Sequence, residues 1–528
     1  MTARQKFIIF ALISPILILM LLAIWPEFAW LLFIIIPVVI IGLIDIKQKK
    51  HSIRRLYPVV GRIRYLLESI RTEIQQYFVE SDTNGMPASR EFRSLIYQRA
   101  KGNRDTRPFG TIFDVNHDGY EWMNHSLAPK PISQPHPRIR FGGDECTQPY
   151  EASPLNISAM SFGALSKNAI LALNKGAKLG GFYHNTGEGG LSEYHLENGG
   201  DIVWQIGTGY FGCRNGEGQF DENLFKEKAT LSVVKMIEIK LSQGAKPGHG
   251  GILPAVKLTE EIARIRHVPM GHDVISPPAH SAFSNPKGLL EFVQKLRQLS
   301  GGKPVGFKLC LGKKTEFLGI CKAILETGIF PDFITVDGGE GGTGAAPAEM
   351  TNSVGTPLRD GLIFVNNALI GAGLRDKIRI IVSGKIFTAF HLLRVLALGA
   401  DTVNSARGMM FSLGCIQSRT CNSDRCPTGI ATQNPARYLA LDVEEKSKRV
   451  ANFHHEMILN LVELLAAGGM ESLEELQPTH INRRVEGTIV KTYGELYPFV
   501  TSGSFLSEKT LPEEYKKDWR VATTDHWS

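Results

Sequence analysis

The sequence predicts an α/β protein whose body is a (β/α)8 barrel of the TIM type, preceded by an N-terminal transmembrane helical hairpin. Three observations lead there. Two uncharged apolar runs open the chain; short apolar strand-like segments alternate with helix-length segments from about Leu155; and glycine or polar residues close nearly every one of those strands. The expected organisation is a hairpin with a basic flank (1–50), an amphipathic helix and lead-in (51–150), the barrel (151–435) and a helical extension (436–528). With 43% hydrophobic and 21% charged residues, the composition is that of a folded protein, excluding a disordered or collagen-like chain. A net charge of +7 over 528 residues is too diffuse for a nucleic-acid partner, and no nucleic acid is expected.

The hairpin rests on Phe7 to Trp25, which carries no charge, and on a second apolar run from Ala29 to Ile44. A hydrocarbon core of about 30 Å needs about 20 helical residues, and both runs come close. Trp25, Phe28 and Trp30 sit at the shared turn, as interfacial aromatics do. A signal peptide is the alternative, but no small-residue cleavage site follows the first run. Arg4 and Lys6 precede the first run and KQKKHSIRR (Lys47 to Arg55) follows the second, so both ends are expected on the cytoplasmic side of a bacterial cell membrane. Beyond it, Val59, Ile63, Leu66, Leu67, Ile70, Ile74 and Phe78 recur at steps of three and four, the pattern of an amphipathic helix. Such a helix either lies on anionic lipid or packs on the body.

In the body, LNISAM (155–160), VGFKLCLG (305–312), FITVDGG (333–339), IRIIVSG (378–384) and DTVNSARG (401–408) read as strands, and KNAILALNKGAKLG, FLGICKAILETG and Phe390 to Leu398 as helices. Repeated βα units imply a parallel sheet, and polar strand ends favour a closed barrel, which gathers its ligands there. No G-x-G-x-x-G follows a first strand, which argues against a nicotinamide-binding Rossmann domain. Four glycine-rich loops, AMSFG (159–163), NTGEGG (185–190), QGAKPGHGG (243–251) and DGGEGGTGAAP (337–347), suit a large planar or phosphorylated ligand. The late loops at Ser383 and Gly384 and at Arg407 and Gly408 lie where barrels commonly hold phosphate.

Cys146, Cys213, Cys310 and Cys321 are scattered and expected to be reduced, whereas Cys415, Cys421 and Cys426 form C-x5-C-x4-C in one turn-rich loop. Clustered thiolates bind soft metals. Zinc would want a fourth ligand and the loop offers no further His or Cys, so an iron-sulfur cluster suits three thiolates better; zinc and a metal-free loop stay open.

SAMSFGALS, NTGEGG, EIKLSQGAKPGHGG, ISPPAH, DGGEGGTGAAP, GLRDKIRI and CIQSRTCNSDRCPTGIATQ together resemble the synthase domain of glutamate synthases over roughly Leu155 to Pro435. With the hairpin, the whole chain is similar to the stand-alone, membrane-anchored bacterial form of that family. The resemblance implies an FMN barrel beside a 3Fe-4S cluster held by Cys415, Cys421 and Cys426. It implies FMN contacts from Ala159, Met160 and Ser161, from Gln205 and Lys308 near the ring, and from Gly338, Gly339, Ser383, Gly384, Arg407 and Gly408 at the phosphate. A cation such as Lys308 stabilises an anionic reduced flavin, and backbone amides suit a phosphate dianion.

The implied activity is reductive amination of 2-oxoglutarate, through 2-iminoglutarate, to L-glutamate, with Lys246, Gln243 and Lys308 orienting the dicarboxylate by charge-assisted hydrogen bonds. Electrons would come from a donor such as a ferredoxin or a reductase subunit. Where the family has an amidotransferase domain this chain has the hairpin, so ammonia is expected from solution or a separate glutaminase. His249 stands in PGHGG where the family reads PGEGG, and Ser383, Gly384 and Lys385 where it reads DGG, which puts the substrate in question. The alternatives are an FMN-dependent dehydrogenase of an amine or N-substituted glutamate feeding membrane electron carriers, and a non-catalytic redox-sensing subunit.

Overall fold

A computed structural model of the protein describes residues 1–131 and 133–527 and divides into two units, 1–86 and 87–528. In the first, α1 (Ala3–Ile24) and α2 (Trp30–Lys47) are joined by a 3-10 turn at Pro26–Ala29. Thr2 caps α1 in a box with Gln5, satisfying amide groups that the first turn leaves free. A Cβ at Gly42 would overlap the Phe7 ring, so the absence of a side chain there lets the two helices approach. Two segments, Ala3–Ile24 and Pro26–Lys47, are each 22 residues long and apolar enough to cross a membrane, and few of their residues are buried. A core helix of a water-soluble domain would bury such a face. The expected amphipathic helix forms as α3 (Gly61–Ser69), breaks at Ile70 where φ is −106°, and continues as helical turns at Arg71–Ile74 and Gln75–Val79.

The second unit contains the barrel. Eight strands close it: β1 (Leu155–Ile157), β2 (His184–Asn185), β3 (Ile202–Ile206), β4 (Val234–Lys240), β5 (Val305–Leu309), β6 (Phe333–Asp337), β7 (Arg379–Ser383) and β8 (Thr402–Ser405). All pair in parallel, and β8 returns to β1 through Val403 opposite Leu155. Every strand read from the sequence is present. A helix beyond 435 also packs on the barrel. α4 (Arg90–Ala100), α5 (Lys167–Gly180) and α6 (Arg407–Leu413) all pack on α7 (Val443–Ala467), which thus fills the ring beside β1. A Cβ at Gly176 of α5 would come within 2.6 Å of Val450, so glycine there sets how closely α7 seats. The cysteine segment is therefore a loop inserted between α6 and the closing helix. The remainder of 436–528 is not wholly helical: Ile481–Glu486 and Ile489–Thr492 form an antiparallel hairpin about Gly487, and Glu121–Met123 adds a third strand. Val490 and its β-branched neighbours on either side of that glycine account for the strands.

Inside the barrel the side chains are layered, and the layering places the site. At the amino-terminal end Tyr183, Val203, Met236, Phe333 and Ile381 pack with Phe141 and Tyr150 of a short hairpin that plugs the barrel. Above this apolar layer lies a polar one. Glu238, wholly buried, accepts hydrogen bonds from Asn185 (2.8 Å), Gln205 (2.6 Å) and Thr335 (2.6 Å), and the Tyr183 hydroxyl donates to Asn404. Such a layer is stable only because every buried donor has its acceptor. The charged residues come last, at the carboxyl end.

Candidate active site

Register brings the charged ends together. Lys308 lies opposite Lys240 on one side and Thr335 on the other, and Asp337 lies opposite Ser383. The Lys308 ammonium stands 3.5 Å from Asp337, whose carboxylate also accepts the Ser383 hydroxyl (2.5 Å) and the Gly244 amide (3.0 Å). Burial alone would lower Lys308, but Asp337, Glu238 and Glu188 outweigh it and hold the amine charged above the ordinary lysine range. Lys308 is therefore paired, as a strand-end lysine would be, and also directed into the mouth.

A second charged group faces the first. Lys240 binds Glu188 at 2.8 Å; burial raises this carboxyl, and Lys240, followed by Arg266 and Lys246, more than offsets that. Arg266 donates to the Phe162 carbonyl, and burial lowers it to about 10. Lys246 donates to the Ala345 carbonyl at 2.9 Å and is pushed down to about 8 by burial. Four cations, Lys240, Lys246, Lys308 and Arg266, thus stand among three carboxylates, Glu188, Asp337 and the deeper Glu238, an arrangement suited to an anionic substrate. The Gln243 side-chain amide is buried there without a hydrogen-bond partner. Such a donor is costly to leave unpaired and points to a ligand acceptor.

The glycine loops let backbone meet backbone at this mouth. A Cβ at Gly244 would overlap the Gly338 carbonyl, and one at Gly187 would press on the Ser161 amide at 3.0 Å. Met160 donates its amide to Asn185, which brings the loop of Ala159, Met160 and Ser161 over β2. At the late strands the Gly338 amide donates to Ser383, and Arg407 reaches back to the Glu340 carbonyl at 2.8 Å. Lys385 is lowered by burial and then by Arg407, so two cations share this corner beside Gly384 and Gly408. The Arg407 and Lys385 cations at this corner fit a phosphate dianion, and the close-packed glycine edges of the mouth leave room for a planar ring. The residues present therefore suit FMN.

The three cysteines are adjacent to this mouth. Burial pushes Cys415 up to about 12 and raises Cys421. Cys426 behaves oppositely: burial raises it, but the Thr428 hydroxyl and the amides of Ala431, Thr428 and Ile430 together bring it below the ordinary thiol value. Among the described residues no three His, Cys, Asp or Glu side chains converge as on one metal ion. Three thiols within one loop are the soft donor set that an iron-sulfur cluster or a zinc ion takes. The loop is bolted to the barrel. Lys257 donates to the carbonyls of Ala164 and Cys421, Gln433 to those of Gly163 and Leu165, and Ser166 to that of Gly429. A Cβ at Gly344 would lie 3.8 Å from that of Cys421. The DGGEGGTG loop thus runs from the phosphate corner to the cysteines.

All the residues singled out from the sequence stand at the carboxyl end of the barrel or on its loops, with Gln205 engaged by Glu238 below the rest. Sequence reasoning missed Glu188, Glu238, Lys240, Lys257, Arg266 and Asp337. Glu238 and Lys240 were detectable in VKMIEIK: charges at alternate positions of an otherwise buried strand must face a polar interior. Lys257 and Arg266 carried no local signal, since their partners lie far away in the chain.

Residues 142–471 match the conserved region in glutamate synthase. A glutamate synthase large subunit-like protein of Bacillus subtilis (strain 168) is 39% identical over 513 residues, covering 89% of this chain and 97% of that protein. An archaeal NADPH glutamate synthase of Methanocaldococcus jannaschii is 37% identical over 326 residues, 62% of this chain and 61% of its own length, so the chain spans about three fifths of such relatives. Among solved structures, a flavocytochrome b2 mutant with pyruvate bound is similar at a TM-score of 0.44 and 14% identity, covering 82% of this chain and 98% of that one.

Proposed function

The chain belongs to the glutamate synthase family, and on that premise we propose that it is a membrane-tethered oxidoreductase that uses FMN and a 3Fe-4S cluster to form L-glutamate from 2-oxoglutarate and ammonia. The observation that carries the reading is the cationic mouth: Lys240, Lys246, Lys308 and Arg266 gathered at the strand ends, within one loop of the cysteines. FMN would be held by Ala159, Met160, Ser161 and Gln205 on one side and by Gly338, Gly339, Ser383, Gly384, Arg407 and Gly408 at its phosphate; when bound, it supplies hydride chemistry. Cys415, Cys421 and Cys426 would hold the cluster, which supplies one-electron transfer from a ferredoxin or reductase partner.

The chain's own residues do the positioning. Lys246 and Gln243 orient the two carboxylates of the oxo acid by charge-assisted hydrogen bonds, and Lys308 holds positive charge in the mouth. Glu188 keeps Lys240 charged and directed, and the polar layer at Glu238 keeps the floor rigid. Ammonia arrives from solution or a separate glutaminase and condenses with 2-oxoglutarate to 2-iminoglutarate, the hydride acceptor.

The apolar pair α1 and α2 anchors the body to a bacterial cell membrane with both ends cytoplasmic. This placement favours one second reading, a dehydrogenase running in the opposite direction from an amine or N-substituted glutamate into membrane carriers. Anaerobic titration of the purified full chain separates them. Oxidation of the dithionite-reduced flavin by 2-oxoglutarate with ammonia supports the synthase; bleaching of the oxidised flavin by an amine, with no response to oxo acid, supports the dehydrogenase. A flavin inert to both refutes an enzyme of either kind.

A further inference from the structure

The charge of this chain is not spread along it. Between Lys47 and Arg71 there are eight Lys and Arg residues against Glu68 alone, a surplus of seven that equals the net charge of +7 of the whole protein. Every other part of the chain, taken together, is neutral. The same segment carries an uncovered apolar face. Within α3, Ile63, Leu66 and Leu67 share one side of the helix and are 55%, 59% and 51% exposed although aliphatic, and Val60 and Ile70 at its two ends are exposed as well. Arg64 within α3 and Arg71 beyond its end are both exposed.

The turn that leads from α2 into this helix is built rather than loose. Asp45, buried in the last turns of α2, accepts the Val59 amide at 3.1 Å and the Arg62 guanidinium at 2.9 Å. Val59 is held at φ 64°, a region a β-branched residue avoids unless its surroundings impose it. Arg54 lies over the Tyr65 ring at 4.3 Å, fixing the preceding short helix to α3. The acid at the end of the span thus sets the direction in which the chain leaves it.

We propose that residues 52–79 form an interfacial anchor that binds the surface of an anionic bilayer, its apolar stripe among the headgroups and its arginines on the lipid phosphates. The proposal rests on the reading of α1 and α2 as a membrane hairpin: the patch is continuous with those spans, and its charge complements the cytoplasmic leaflet. Hydrogen exchange of the full chain tests it, in nanodiscs of phosphatidylcholine alone and of phosphatidylcholine with phosphatidylglycerol. Amides of 61–79 should exchange about tenfold more slowly in the anionic discs, the effect of one to two basic side chains at such a surface. High salt should remove the difference, as should Arg64→Glu with Arg71→Glu, two exposed positions whose change leaves the fold intact. Protected spans with equal exchange of 61–79 in both lipids overturn the anchor alone. Freely exchanging spans overturn the hairpin and the anchor with it.

Discussion

Replacing Glu238 tests whether the polar layer, rather than generic packing, holds the barrel floor. The carboxylate is wholly buried and accepts three side-chain donors, from Asn185 and Gln205 on one oxygen and Thr335 on the other. Glu238→Leu keeps roughly the volume but strands three donors inside a closed barrel. At about 1–3 kcal/mol for each unsatisfied group, and allowing Asn185 and Gln205 to find partial substitutes, the loss should be about 3–6 kcal/mol. Glu238→Gln is the control. Its carbonyl oxygen still takes Asn185 and Gln205, and its amide donates to Thr335, whose hydroxyl turns to accept. Lys308 loses one of its carboxylates but keeps Asp337, so the Gln variant should fall by only about 1 kcal/mol. Urea unfolding of the detergent-solubilised chain, followed by tryptophan fluorescence, reads both. A Leu variant within 1 kcal/mol of the parent, or a Gln variant as damaged as the Leu one, would refute the argument that hydrogen-bond satisfaction sustains this layer.

Lys246, lowered to about 8 by burial, binds the substrate carboxylate only when protonated, so kcat/KM for the oxo acid should hold below pH 8 and fall as pH rises through it. Lys246→Arg should move that break above the accessible range; a break that stays at 8 assigns it elsewhere. Cys415→Ser, Cys421→Ser and Cys426→Ser should each lose most iron and acid-labile sulfide, while serine at Cys146, Cys213, Cys310 or Cys321 should not; one zinc and no sulfide in the parent would refute the cluster. Gly244→Ala should drive its loop from the Gly338 carbonyl and weaken FMN retention at least about tenfold without unfolding the barrel, checked by flavin release on dialysis. A reporter fused at the Trp25 to Phe28 turn should face outside the cell membrane and one at the C-terminus the cytoplasm; a cytoplasmic turn would end the hairpin reading.

What the sequence made legible follows from the range of the interactions involved. The strands were readable because β-branched runs and strand-end glycines are local signals, and the cysteine loop because its three cysteines lie within twelve consecutive positions. Glu121–Met123, the third strand on the hairpin at 481–492, carried no signal because it is three residues long and its partner lies hundreds of residues away. α7 packs on the barrel's own helices although it follows the cysteine loop, so sequence order separates what the fold joins. The site shows the same division. Lys246, Lys308 and the glycine loops announce themselves one strand at a time, but the charge state of Lys308 is set by Asp337, Glu238 and Glu188, each from a different strand or loop. Lys257 carries this furthest. It comes from the loop after β4, yet it joins the carbonyl of Ala164, beside the AMSFG loop, to that of Cys421, so one amine ties the flavin-side loop to the cysteine loop. Moving either loop must therefore disturb the other, and this chain's two candidate cofactor sites are mechanically one.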